Sequence, residues 1–240
     1  MPHRIAPEAD LHVHTIASGH AYSTIGEIAR EAPRKGLHLI GMTDHGPAMP
    51  GGPHPYHFMA LRFVPKRING VRILRGVEAN IQDGGKLDLS QAELRKLDLV
   101  LAGFHEDCGY GGKDEAAHTR TLLQVMRNPQ VRVITHPGNP AYPIDLDAVV
   151  RCAVETDTAI EFNNSSFTTS RRGSKPRCRQ LARLCAELGA PVVVSSDAHI
   201  ADGIGHFDHA LKVLSEAGVR VDQIKNRTKE SILEFLGLSD

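Results

Sequence analysis

The chain has 240 residues, a length that suits one barrel-type α/β domain with a sizeable core. Its 28 Lys and Arg balance 28 Asp and Glu, and its 41% apolar and 23% charged residues sit near the globular average. These figures exclude a disordered chain and argue against a protein that grips nucleic acid or an anionic membrane by bulk charge, while leaving room for a local basic patch.

Residues 10–14 (DLHVH) form the first of seven short apolar runs that read as strands. A capping box at Thr24 and Glu27 then starts a helix whose Ile25, Ile28, Ala29 and Ala32 share a face and which Gly36 stops. Strand 38–45 (HLIGMTDH) follows, and after it a Gly/Pro/His-rich stretch, 46–57, the one long irregular insertion and a candidate lid. Further strands are read at 71–78 (VRILRGVE), 97–105 (LDLVLAGFH) and 131–136 (VRVITH). Asp145 caps a helix with Leu146, Val149, Val150 and Ala153 on one stripe, and strand 158–163 (TAIEFN) comes next. A helix with Cys178, Leu181, Ala182, Cys185 and Leu188 on one face ends at Gly189 and Pro191. Strand 191–197 (PVVVSSD) and a closing helix over 228–236, covering one end or edge, complete the chain.

Several runs are apolar almost throughout, as in parallel strands covered on both faces. Their ends recur about every 30 residues, the length of one strand plus one crossover helix. The repeats fit an open sheet or a closed barrel. The residues at the strand ends favour the barrel, which gathers them at one mouth.

Those residues are of metal-binding type. They are His12 and His14, then His20 in the following loop, His45, Glu78, His105, His136, and Asp197 with His199. His12 and His14, at i and i+2, share a face. Seven imidazoles and two carboxylates without a thiolate suit zinc, manganese or iron, and they exceed one tetrahedral site, so two or three ions are expected. The four cysteines, Cys108, Cys152, Cys178 and Cys185, make no C-x-x-C pair and read as reduced thiols. Of the other histidines, His118, His206 and His209 are expected on exposed helix faces and His3 in a loose terminus. No run approaches the ~18 apolar residues of a membrane span. The opening MPHRIAPE has no apolar signal core, so a cytoplasmic location without membrane contact is expected.

The D-x-H-x-H opening at Asp10, TDHG at 43–46, G-x-E-x-N at 76–80, GFHE at 103–106, THPGNP at 135–140, NNSSF at 163–167 and SD-x-H at 196–199 resemble the PHP superfamily, and within it the YcdX-like bacterial phosphatases. The resemblance implies an α/β fold with a distorted seven-stranded, TIM-like (β/α)7 barrel as a single domain. It also implies three divalent ions, zinc first and manganese or iron as alternatives. One ion would take His12, His14, Glu78 and Asp197. A second would share Glu78 and take His105 and His136, and the third would take His20, His45 and His199. Glu78 and Asp197 would then be the catalytic carboxylates, holding the ions that activate a water against a phosphate monoester. A phosphodiesterase or exonuclease, and a non-catalytic metal-binding protein, are the other classes considered. The expected partner is a small phosphorylated molecule, with no nucleic acid, and relatives suggest a homo-oligomer such as a trimer. Arg171 and Arg172, before a helix start, are candidate phosphate contacts, with Lys175 a weaker one, and His54 and His57 in the lid are candidate substrate contacts. Asp10 and Asp44 are expected to orient histidines.

Overall fold

A computed structural model describes residues 5–240, and His3 lies outside them. The strands are β1 (Ala9–Val13), β2 (Leu39–Met42), β3 (Arg67–Ile68), β4 (Val71–Asn80), β5 (Leu99–Gly103), β6 (Val133–Ile134), β7 (Ala159–Asn163) and β8 (Val192–Ser195). Seven of them run parallel in the order β1-β2-β4-β5-β6-β7-β8, so every strand read from the sequence is present. The additional β3 is a two-residue strand paired antiparallel to the start of β4. The helices are α1 (Ile25–Glu31), α2 (Pro55–Ala60), α3 (Gln91–Leu94), α4 (Glu115–Met126), α5 (Leu146–Thr156), α6 (Ser174–Leu188), α7 (Asp208–Ala217) and α8 (Lys229–Leu236).

The helix starts follow local chemistry. Thr24 and Glu27 complete a reciprocal capping box at α1, Asp145 accepts from Ala148 N at α5, and Thr228 accepts from Ser231 N at α8. The stretch 46–57 is irregular only to its last residues. There His54 Nδ1 accepts from Tyr56 N and Pro55 occupies the first turn of α2, where a missing N–H costs nothing.

Two apolar layers hold the barrel. Inside, Leu11, Leu39, Leu74, Leu99, Leu101 and Val193 fill its lower half, and Ile232 and Leu233 of α8 close that end. Outside, Ile40, Ile73, Val100, Ile160 and Val194 pack under the helices, against such residues as Val149, Leu181 and Leu214. Gly41 and Gly76 leave room for the inner layer. A Cβ at Gly41 would meet Leu11 O at 2.7 Å and Leu99 Cδ2 at 2.9 Å, and one at Gly76 would meet Leu99 O at 2.8 Å. The sequence places His118 on an exposed helix face, but the structure buries it. Its Nδ1 and Nε2 face Pro143 O (2.8 Å) and Gly112 O (3.2 Å), and its ring lies among Phe104, Tyr110 and Tyr142.

The barrel is nearly closed, and side chains carry the join between β8 and β1. A single parallel bridge pairs Val13 with Ala198, with His14 N donating to Ala198 O at 2.9 Å. Below it, the Asp10 carboxylate accepts from Ser196 N, Ser196 Oγ and Gly205 N. Asp10 therefore seals the seam, whereas the sequence suggested that it orients a histidine ring. Lower still, the fully buried Asn226 amide accepts from Val194 N at 3.1 Å and donates to Ala9 O and Val194 O, both at 2.7 Å. An apolar side chain there would orphan three buried backbone groups, each worth roughly 1–3 kcal/mol. Asn226→Leu is expected to lower unfolding free energy by about 3 kcal/mol or more in urea titrations. A change under about 0.5 kcal/mol would show that the seam does not need this clasp.

Candidate metal centre

The mouth of the barrel is polar because the inward positions change character partway up each strand. On β4 the inward residues run Leu74, Gly76, Glu78, and on β7 they run Ala159, Glu161, Asn163. On β8 and beyond they run Val193, Ser195, Asp197. β1 is different. Ala9 and Leu11 face the interior and Val13 packs outside, which simple alternation forbids. A register shift between Asp10 and Val13 relative to β2 absorbs one extra residue, and this bulge turns both His12 and His14 inward.

Glu78 is the hub. It is 1% exposed. Its Oε2 lies 3.1 Å from His12 Nε2, 3.5 Å from His14 Nε2 and 3.0 Å from His45 Nδ1, and its Oε1 lies 3.2 Å from His105 Nε2 and 2.9 Å from His136 Nε2. Asp197 Oδ1 is 3.3 Å from His14 Nε2 and 3.6 Å from His12 Nε2. The His199 ring lies 4.4 Å from that of His14, and the more exposed His20 ring lies 5.0 Å from His199 and 5.1 Å from His45. The structure thus brings all nine side chains to one mouth. Donor atoms within 4.8 Å of one another form three triads: His14, His45 and His199; His12, His14 and Glu78; and His45, Glu78 and His105. His14 and His45 each belong to two, so the triads cut across the partition implied by resemblance.

The donor set fits divalent ions. His12 Nε2 faces His14 Nε2 at 3.0 Å, and His105 Nε2 faces His136 Nε2 at 3.3 Å. Buried atoms His45 Nδ1 and Glu78 Oε2 approach to 3.0 Å, and neither has a hydrogen-bond partner. Lone pairs converging in this way are what a cation between them requires. Burial pushes the His14 imidazole down to about 3 and, with the Arg171 charge, His136 to about 4, so both are neutral ligands at pH 7. Burial opposes charge at Glu78 and Asp197 as well, yet their cationic neighbours hold both carboxyls well below the ordinary range. His12 is the exception. Burial disfavours its charge, but Glu78, Glu161 and Asp197 together raise its proton affinity well above normal.

Sequence reasoning missed Glu161. Its Oε1 holds His12 Nδ1 at 2.6 Å, and its Oε2 accepts from His136 N at 2.6 Å and from Asn163 Nδ2 at 3.2 Å. The signal was present: a carboxylate inside a fully buried strand, two residues before an inward Asn163. Ser18 was missed too. Its hydroxyl lies 3.0 Å from His14 Nδ1 and donates to Asp44 Oδ1 at 2.7 Å, so Asp44 positions His14 through Ser18. Asp44 also accepts from Thr15 N and lies 3.6 Å from His57 Nε2. Against its burial, these contacts bring its carboxyl down to about 2.

The other site candidates divide. Arg171 donates from Nη2 to Asp197 Oδ2 at 2.5 Å and from Nε to Ser166 Oγ at 3.0 Å, at the rim of the ring of donors. Arg172 and His54 are exposed, and no hydrogen bond or ion pair joins either to that ring. Cys108 is buried, with its thiol pushed up to about 11 by that burial, and its Sγ donates to Glu106 O.

A model of the PHP domain matches residues 10–237. The chain is 54% identical over 239 residues to a probable phosphatase of Syntrophotalea carbinolica, covering 100% of both. It is 49% identical to a probable phosphatase of Caldanaerobacter subterraneus, covering 95% of this chain and 90% of that one. Among solved structures it resembles a histidinol phosphate phosphatase from Lactococcus lactis, complexed with zinc, L-histidinol and phosphate, at TM-score 0.63 and 17% identity, covering 89% of this chain and 95% of that one. At that identity the likeness concerns the fold alone.

Metal uptake displaces protons from the imidazoles, His12 above all, because its carboxylate neighbours raise its proton affinity. Apparent zinc affinity is therefore expected to fall as pH drops from 8 towards 5, by about ten-fold per unit for each proton released. Chelator competition at several pH values measures this, and a flat profile would contradict the assigned donors. Elemental analysis of Glu78→Gln should show loss of bound metal, whereas Cys108→Ala should keep its full complement.

Proposed function

The chain belongs to the PHP-domain family, and from that premise we propose that it is a metal-dependent phosphatase that hydrolyses phosphate monoesters with three divalent ions, zinc foremost. The observation that carries the reading is Glu78, buried at the junction of five imidazoles with Arg171 at the rim. His12, His14, Glu78 and Asp197 would hold one ion, Glu78, His105 and His136 a second, and His20, His45 and His199 the third. Ions held there would supply a nucleophilic hydroxide near neutral pH and offset charge on phosphoryl oxygens.

The protein's own groups do the positioning. Glu161 fixes His12 so that Nε2 points to the centre, and Ser18, held by Asp44, does the same for His14. Arg171 presents a guanidinium already oriented by Ser166 and Asp197, and its fork suits two phosphoryl oxygens. Phosphoryl transfer asks mainly for such positioning and charge stabilisation, so the absence of a serine or cysteine nucleophile from the described centre is no obstacle. His57, beside Asp44, would hydrogen-bond the leaving group.

Purified protein should release phosphate from p-nitrophenyl phosphate, lose that activity on chelation and regain it with zinc or manganese. Arg171→Lys is expected to cut kcat/KM by about 10- to 100-fold, since a point charge replaces a bidentate fork. Activity that survives complete metal removal would overturn the reading, as would hydrolysis of DNA ends with no monoester turnover.

A further inference from the structure

Beyond the metal centre, the sequence holds no carboxylate from residue 162 to 186, yet carries Arg171, Arg172, Lys175, Arg177, Arg179 and Arg183. Folding places Lys175 and Arg179 of α6 opposite His209, Lys212 and Glu216 of α7, with Phe167 also in the lining, around an open groove. Among the described residues, Arg172, Lys175 and Arg179 make no ion pair. The acids on the α7 side are Asp208 in its first turn and Glu216, which lies 3.9 Å from Lys212. Both helices follow parallel strands, so their positive ends lie on the side of the mouth. Asn164 accepts from His209 N and Ala210 N at the start of α7, whereas no side chain caps α6 after Gly173.

The groove adjoins the metal centre through one short segment. Asn163 donates to Asp197, Ser166 accepts from Arg171, and the next residue, Phe167, lines the groove. A molecule whose phosphate sits at Arg171 therefore extends towards Lys175 and Arg179 when its leaving group takes this direction.

We propose that the groove between α6 and α7 binds a second phosphate on the substrate's leaving group, so that the enzyme prefers bisphosphorylated small molecules to simple monoesters. This rests on the phosphatase reading for its chemistry, but not for its binding. Lys175, Arg179 and Lys212 supply the charge. Such exposed contacts are weak singly and act together, and they weaken with salt.

Calorimetry with the metal-loaded protein tests the groove independently of turnover, using butylphosphonate and butane-1,4-bisphosphonate, whose C–P bonds resist hydrolysis. The bisphosphonate is expected to bind about ten-fold more tightly, a gain of about 1.4 kcal/mol. The gain should disappear in the triple variant K175Q/R179Q/K212Q and shrink at high salt, with the bound metal complement unchanged. A gain below two-fold, or one that survives the triple substitution, overturns the proposal. A 5′-phosphorylated trinucleotide is the third ligand. If it gains affinity through the same three cations while the bisphosphonate does not, the groove belongs to a strand and the small-molecule assignment is wrong. Intact bisphosphonate gain with no turnover of any monoester overturns the phosphatase reading and leaves the groove standing.

Discussion

A carboxylate buried among imidazoles governs this structure. Glu78 is 1% exposed and lies within ion-pair distance of five histidine rings. Removing a carboxylate from water costs several kcal/mol, and neutral imidazoles repay little of it. Protonating every ring would repay the carboxylate but set buried cations against one another. The rings share the burden unequally, with a proton favoured on His12 and disfavoured on His14 and His136. Divalent cations resolve the conflict more fully, because each neutralises the acids while accepting the lone pairs of the rings.

Holding the donors against their mutual repulsion requires backbone that is over-determined. Six non-glycine residues among those described have positive φ, and three of them, His136, Arg171 and Asp197, belong to the mouth. Such conformations cost on the order of 1–3 kcal/mol each and persist only where neighbours fix them. The neighbours are visible. Glu161 holds His136 N, Ser174 Oγ donates to Arg171 O, and Asn163 and Arg171 both grip the Asp197 carboxylate. Glu161 thus serves two purposes, fixing the His12 ring and the strained His136 backbone with its two oxygens. The seam beneath is clasped in the same manner by Asp10 and Asn226, so that β1 and β8 deliver His14 and Asp197 to one point.

The strands and the convergence of ligand-type residues at their ends were legible because both follow from local patterns: apolar runs, regular spacing and capping residues. What stayed hidden depended on pairing. The bulge in β1 is a matter of register with β2, and no composition of DLHVH reveals that Leu11 and His12 both face inward. The burial of His118 comes from Phe104 and Tyr110 in the loop before α4 and from Tyr142 in the loop before α5. Arg171 and Arg172 are neighbours with the same chemistry. Only the left-handed backbone at Arg171 decides which guanidinium turns to Asp197.

Net charge was silent on the surface for a related reason. The equal count of acids and bases weighs every residue alike, although charge felt by a ligand depends on where it sits. Among the described residues the buried carboxylates are Asp10, Asp44, Glu78, Glu161 and Asp197, against a single buried guanidinium, Arg72. The acids that balance the total are therefore drawn into the barrel, where seam donors, imidazoles and any bound cations use up their charge. The outer surface is left with more cations than anions, and the acid-free stretch around α6 concentrates that excess beside the mouth. A chain that must bury carboxylates to assemble a cation site, yet stays formally neutral, has to be basic somewhere outside, and here that place is next to where an anionic substrate would enter.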